Sequence, residues 1–259
     1  MTNLKKYYSE FKHFVIFLTL LAVFGCSSTG FHVKRIEGSK TNINANISET
    51  AAIEAYIKPY RTHVDAEMNA VLSVANQNFD KSGEWQTPMG NLLADAVMQE
   101  ATPIFLKRHN KSLDICLLNH GGIRANISKG NVTTRTAFEV MPFENSLIVV
   151  ALKGDVIIEM LQFIIAEKKP HPLAGITFTV GKDGNPKKIF IKGKPIDLDA
   201  TYSVCTSDYL SGGGDKMNFF KKGTAFFDLD YKLRNILIDY FKKTPILPMV
   251  TDIRISVEQ

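Results

Sequence analysis

The chain has 259 residues, 45% of them hydrophobic, with 31 lysines and arginines against 26 acidic residues and a formal charge of +5. That length is enough for one well-buried domain. The mild basic surplus forms no dense block beyond the first residues, which excludes nucleic-acid binding driven by a phosphate-neutralising patch. The three cysteines include no C-x-x-C pair, so nothing supports a zinc knuckle or a dithiol redox motif.

Lys5, Lys6 and Lys12 form a basic leader, and Phe14 to Phe24 is almost wholly apolar. The apolar run is short for a bilayer span and fits the core of a signal peptide. It ends Val23-Phe24-Gly25-Cys26-Ser27-Ser28, which resembles a bacterial lipobox. The expectation is a signal peptide over residues 1–25, cleavage before Cys26 and lipidation of that cysteine. The body would then be exported and lipid-anchored at the periplasmic or cell-surface face of a bacterial membrane. An ordinary secretory signal and an uncleaved anchor are the alternatives. Loss of residues 1–25 removes three lysines and Glu10, which lowers the charge from +5 to +3. Residues 26–47, rich in Ser, Thr, Asn and Lys, read as a flexible tether, and the domain is expected over 48–259.

Ser48 to about Asn69 is predicted helical, with Ser48 as a cap and Pro59 as a kink or break. Val71 to Ala75 reads as a short strand. Thr87-Pro88 is a helix start, with threonine at the cap and proline in the first turn. Met89, Leu92, Leu93, Ala96 and Val97 then fall on one helical face. Leu113 to Leu118 is a buried-strand pattern. Thr133 to about Val140 reads as a short helix, Leu147 to Leu152 as a strand, and Asp155 to about Lys168 as a long helix with charges suited to its ends. Ile176 to Val180 and Lys188 to Lys192 are predicted strands joined by a turn at Gly181–Gly184. Tyr202 to Thr206 is a further strand, Tyr231 to Lys242 a last helix and Asp252 to Val257 a last strand. Helices and strands mix without strict alternation, which predicts a single α+β domain with a mixed β-sheet flanked by helices. Cys116 and Cys205 each lie in an apolar, strand-like stretch, where either a disulfide or two buried thiols is open.

Two clusters carry polar chemistry. Asn119-His-Gly-Gly-Ile-Arg124 follows the buried strand at 113–118, and its glycines let backbone approach a ligand closely. Asn119 offers an amide and Arg124 a cationic fork. Tyr209-Leu-Ser-Gly-Gly-Gly-Asp215 repeats the pattern of aromatic, glycines and carboxylate. On the residues alone, Phe143 and Tyr209 suit a core, while a turn or helix cap is the alternative for Asp215 and a surface ion pair the alternative for Arg124.

Four segments occur in order: Pro88-Met-Gly-Asn-Leu-Leu-Ala-Asp-Ala96, Asn119 to Arg124, Met141-Pro-Phe-Glu-Asn145 and Asp208 to Asp215. Together they resemble the C-terminal, substrate-binding domain of the 5'-nucleotidase family, which includes UDP-sugar hydrolases and 2',3'-cyclic phosphodiesterases. The resemblance covers roughly residues 48 to 256. It implies that Phe143 and Tyr209 clamp a nucleobase, a position where phenylalanine is the commoner partner of Phe143. It implies that Asp215 accepts from ribose hydroxyls, that Asn119 and Asn145 lie near the base, that Arg124 lies near sugar and phosphate, and that Gly121 and Gly122 admit the ligand. His120 has no catalytic duty in this reading, and Asp95 is a structural acceptor.

The chain departs from the family in two respects. Nothing matches the Asp-x-His, Gly-Asp-x-x-Asp or Gly-Asn-His-Asp/Glu motifs of the family's metallophosphatase domain, so no catalytic residue, metal ligand or cofactor is expected in this chain. A phosphate-directed arginine is replaced at about Gly83, with Lys81 as a partial substitute. The resemblance therefore implies the nucleotide- or nucleoside-binding half of a 5'-nucleotidase-type phosphohydrolase in nucleotide catabolism. A separate metallophosphatase chain would bring two divalent metals. The alternative is a non-catalytic lipoprotein that captures nucleosides or nucleotides.

Overall fold

The computed structural model describes residues 3–23, 33–44, 47 and 50–259. The chain divides into two compact units, residues 1–53 and 54–259. The first contains helix α1 (Asn3–Val23), whose side chains from Tyr7 to Leu20 are exposed, and residues 33–44 without regular structure. Among the described residues no helix is long and apolar enough to cross a membrane. Cys26 and Ser48, the expected lipidation site and helix cap, lie outside the described residues.

Helix α2 (Ala51–Met68) runs through Pro59, so the expected break is not there. A proline inside a helix frees a carbonyl one turn back. No residue of α2 is buried, so that carbonyl is open to solvent. Strand β1 (Val71–Ala75) pairs antiparallel with β3 (Gly130–Thr133). Between them in sequence come α3 (Pro88–His109) and β2 (Ile115–Leu117). The α3 start is as predicted: the Thr87 side chain accepts from the Gly90 amide at 2.9 Å. Thr133 caps α4 (Thr134–Val140) through a reciprocal bond pair with Thr136.

The main sheet contains β4 (Ser146–Lys153) and, after α5 (Gly154–Glu167), β5 (Leu173–Ala174). Strands β6 (Ile176–Val180), β7 (Pro186–Ile191) and β8 (Lys194–Pro195) belong to a second, four-stranded sheet. The main sheet resumes with β9 (Thr201–Ser207), which leads into the one-turn helix α6 (Asp208–Ser211), and with β10 (Ala225–Lys232). Helix α7 (Leu233–Lys243) follows, and β11 (Ile255–Val257) joins the second sheet beside β6. The main sheet has the order β10-β4-β9-β2-β5. Within it β2 and β9 run parallel, and the other neighbours are antiparallel.

Strand β4 is buried from Ser146 to Leu152 because both faces of the sheet are covered. Leu147 and Val149 point into a core shared with α3 and α7, and Ile148, Val150 and Leu152 into one shared with α5. A strand covered on both faces reads as a continuous apolar run. The last helix begins at Leu233, not Tyr231, because Tyr231 and Lys232 still belong to the unforeseen edge strand β10. Cys116 and Cys205 are register partners on β2 and β9, both buried and both free thiols.

This topology positions three loops. Parallel strands β2 and β9 end at the same edge, and antiparallel β4 begins there, with Leu147 opposite Ser207. The segments after β2, after β9 and before β4 therefore converge, as ligand sites in such sheets commonly do at strand ends.

Candidate functional site

The convergent loops enclose a cavity of about 380 Å³, within the range of small-molecule sites. Asn119, Gly121, Gly122, Arg124, Phe143, Asn145, Tyr209 and Asp215 all line it. Sequence reasoning missed the apolar floor, Leu118, Met141 and Leu233, and the polar Ser207. Leu118 and Leu233 are core residues continued to the surface, a pattern no motif announces.

One wall is built from polar groups. Asn119 Nδ2 donates to Asp215 Oδ2 at 2.7 Å, and the Tyr209 hydroxyl donates to Asp215 Oδ1 at 2.8 Å. The Asp215 amide in turn donates to Tyr209 Oη at 3.2 Å. Asp215 sits at φ 49, in the left-handed region, after Gly213 at φ 88. A Cβ on Gly214 would come within 2.6 Å of the Tyr209 ring, so the glycine turn wraps that ring closely. Partial burial pushes the Asp215 carboxyl upward. The hydrogen bonds from Asn119 and Tyr209, with His171 and Lys169 nearby, outweigh this and hold it below the usual carboxylate range. On Gly122 a Cβ would lie 2.7 Å from Asn119 Oδ1, so glycine there leaves the amide room to face Asp215.

A second part of the lining is Phe143 with Arg124, whose guanidinium lies 5.6 Å from the ring centroid. Arg124 Nη1 also donates a long bond to Gly121 O at 3.4 Å. Phe143 is 42% and Tyr209 50% exposed. Two large rings held half-open to solvent are surface, not core, and this departs from what their residue types alone suggest. The 142–145 loop is anchored from beneath. Buried Arg234 donates to Pro142 O at 3.1 Å, pairs with Glu144 and lies 4.1 Å over the Phe138 ring. No sequence motif marks Arg234, since its role depends on α7 starting directly under that loop.

The other residues singled out in the sequence, with His171, have separate duties. The amide of His120 donates to His171 Nδ1 at 3.2 Å, and burial pushes the His171 imidazole down to about 4. His120 is half-buried and lowered mainly by its own burial, then by Lys81. Lys81 Nζ donates to Ile123 O at 2.7 Å and does not line the cavity. Gly83 has φ 150, and a Cβ there would lie 2.0 Å from Gln86 O, so this backbone admits no arginine at that position. Asp95 accepts from Arg254 Nη2 at 2.6 Å, a structural tie to the C-terminal segment. Among the described residues no three His, Cys, Asp or Glu side chains gather as a metal-ligating group.

The chain is 29% identical over 184 residues to a 5'-nucleotidase of Vibrio vulnificus, covering 67% of this chain and 31% of that protein. It is 30% identical over 172 residues to the trifunctional nucleotide phosphoesterase protein YfkN of Bacillus subtilis, covering 61% and 11%. The structure superposes on the 5'-nucleotidase precursor from Thermus thermophilus with a TM-score of 0.65 and 27% identity, covering 80% of this chain and 42% of that one. The chain thus spans about a third or less of the length of these curated relatives. The profile of the 5'-nucleotidase, C-terminal domain, matches residues 63–222, and it is to this family that the chain belongs.

Proposed function

We propose that this chain is the nucleoside- and nucleotide-binding half of a 5'-nucleotidase-type phosphohydrolase that acts in nucleotide catabolism. The observation that carries the reading is one cavity that gathers two half-exposed rings, a carboxylate, two amides and an arginine. A flat base between Phe143 and Tyr209 gains stacking of roughly 1–3 kcal/mol per contact by analogy with single-strand binders. An ionised carboxylate accepts from a sugar diol, and a guanidinium suits phosphate oxygens. The relatives, a 5'-nucleotidase and a nucleotide phosphoesterase, support nucleotides as the ligand class.

Hydrolysis of a phosphate ester by two metals requires both ions to clamp the attacking and leaving oxygens. We assign that part to a separate metallophosphatase chain docked on the cavity rim. Export and lipid anchoring through Cys26 would place the pair outside the cytoplasm. The test is calorimetry with adenosine and adenosine 5'-monophosphate, followed by nucleotide hydrolysis with and without an exported metallophosphatase of the same cell. The reading expects nucleoside binding by this chain and faster hydrolysis in the mixture. Binding without acceleration would instead favour capture alone, and absence of both would sink the proposal.

A further inference from the structure

We infer that the Tyr209 hydroxyl is a positioning group that sets Asp215 to discriminate ribonucleosides from 2'-deoxyribonucleosides. The inference rests on the nucleoside reading above and names the sugar class of its ligand.

Tyr209 does two separable things. Its ring lines the cavity, a task phenylalanine performs equally well, and its hydroxyl closes a ring of hydrogen bonds with one residue. The hydroxyl donates to Asp215 Oδ1 and accepts from the Asp215 amide. These bonds span side chain and main chain at once, so they fix both the carboxylate plane and the left-handed backbone beneath it. A non-glycine residue in that region tends to revert to ordinary backbone unless its surroundings hold it. Asn119 secures the second carboxylate oxygen.

Each carboxylate oxygen has about two acceptor directions. The protein fills one on each oxygen, which leaves one on each for a ligand. Two acceptors on adjacent oxygens match a cis-diol, which donates one hydrogen bond to each. A 2'-deoxy sugar supplies a single donor and leaves one oxygen unserved. Hydrogen bonds to a charged acceptor are the stronger kind, so the missing one costs about tenfold or more in affinity. Without the tyrosine hydroxyl, Asp215 Oδ1 regains a free direction and the residue loses its backbone latch. The match to a diol then loosens.

The experiment compares adenosine with 2'-deoxyadenosine by calorimetry on the full chain and on Tyr209→Phe, from pH 3 to 7. The expected ratio of dissociation constants is about ten or more for the natural chain and about threefold or less for Tyr209→Phe. The pH readout separates positioning from simple loss of structure. The charged and titratable groups facing Asp215 are His120, Arg124, Glu167, Lys169, His171 and Lys216. None is altered by the substitution. The pH at which adenosine affinity declines on acidification should move upward in Tyr209→Phe, because one bond to the ionised carboxylate is gone. A ratio and a pH midpoint that both stay at natural values in Tyr209→Phe would overturn the inference. So would a natural chain that binds the two nucleosides equally. Failure of both nucleosides to bind at all would count against the nucleoside reading itself.

Discussion

The two walls of the cavity hold their aromatic rings by different means. The Tyr209 wall is a closed hydrogen-bonded set, in which Asn119, Asp215 and Tyr209 fix one another directly at the surface. The Phe143 ring has no hydroxyl through which it could be hydrogen-bonded in this way. That ring is aimed from below by Arg234, which grips the carbonyl of Pro142 and the side chain of Glu144, and is flanked above by Arg124. The difference teaches that one side carries a preformed polar arrangement, whereas the other offers an exposed aromatic face whose position depends on a neighbouring helix. Charge effects should therefore gather on the first wall and effects without sugar selectivity on the second.

The largest expected effect concerns His171, which packs behind the Asp215 wall. Burial lowers its folded value to about 4, against about 6.5 in an unfolded chain. The unfolded state therefore takes up the proton first as pH falls. The natural chain should keep full stability above about pH 6.5 and lose on the order of 3 kcal/mol as pH drops toward 4. His171→Asn should flatten that slope. Urea unfolding at pH 7 and pH 4.5 measures it, and equal slopes in the two proteins would remove the burial account.

Next comes Asp215→Asn, which keeps the shape and removes the charge. Adenosine affinity should fall by about 2 kcal/mol, roughly thirtyfold. A change below threefold would mean that the polar wall selects nothing. The smallest effect sharpens the contrast between walls. Arg234→Met leaves the Tyr209 wall untouched and frees the Phe143 loop. Affinity for adenosine should drop by about 1 kcal/mol, with an equal drop for 2'-deoxyadenosine. Unequal drops in calorimetry would show that the walls are not independent.

Much of the cavity lining was legible in the sequence because its residues sit in short runs tied to strand ends. Asn119 to Arg124 follow β2, and Asp208 to Asp215 follow β9, so local pattern and position coincide. The Thr87 cap and the buried β4 run were legible for the same reason. Other features required tertiary knowledge. Edge strand β10 alternates only weakly and carries Asp228 and Asp230, which mask its strand character. Pro59 resembles a helix stop until the helix proves to be solvated on all sides. Arg234 and His171 act across 90 and 51 residues of sequence respectively, a separation no local motif can report. Gly83 reads as a lost arginine, yet its backbone angle shows a turn that only glycine fits comfortably.

The central claim is that one flat base enters between Phe143 and Tyr209 with its sugar on Asp215. A crystal structure of the chain with adenosine tests this most directly. The account predicts the purine plane against both rings and the 2'- and 3'-hydroxyls within hydrogen-bond distance of the two Asp215 oxygens. Adenosine bound elsewhere, or with its ribose turned away from Asp215, would contradict it.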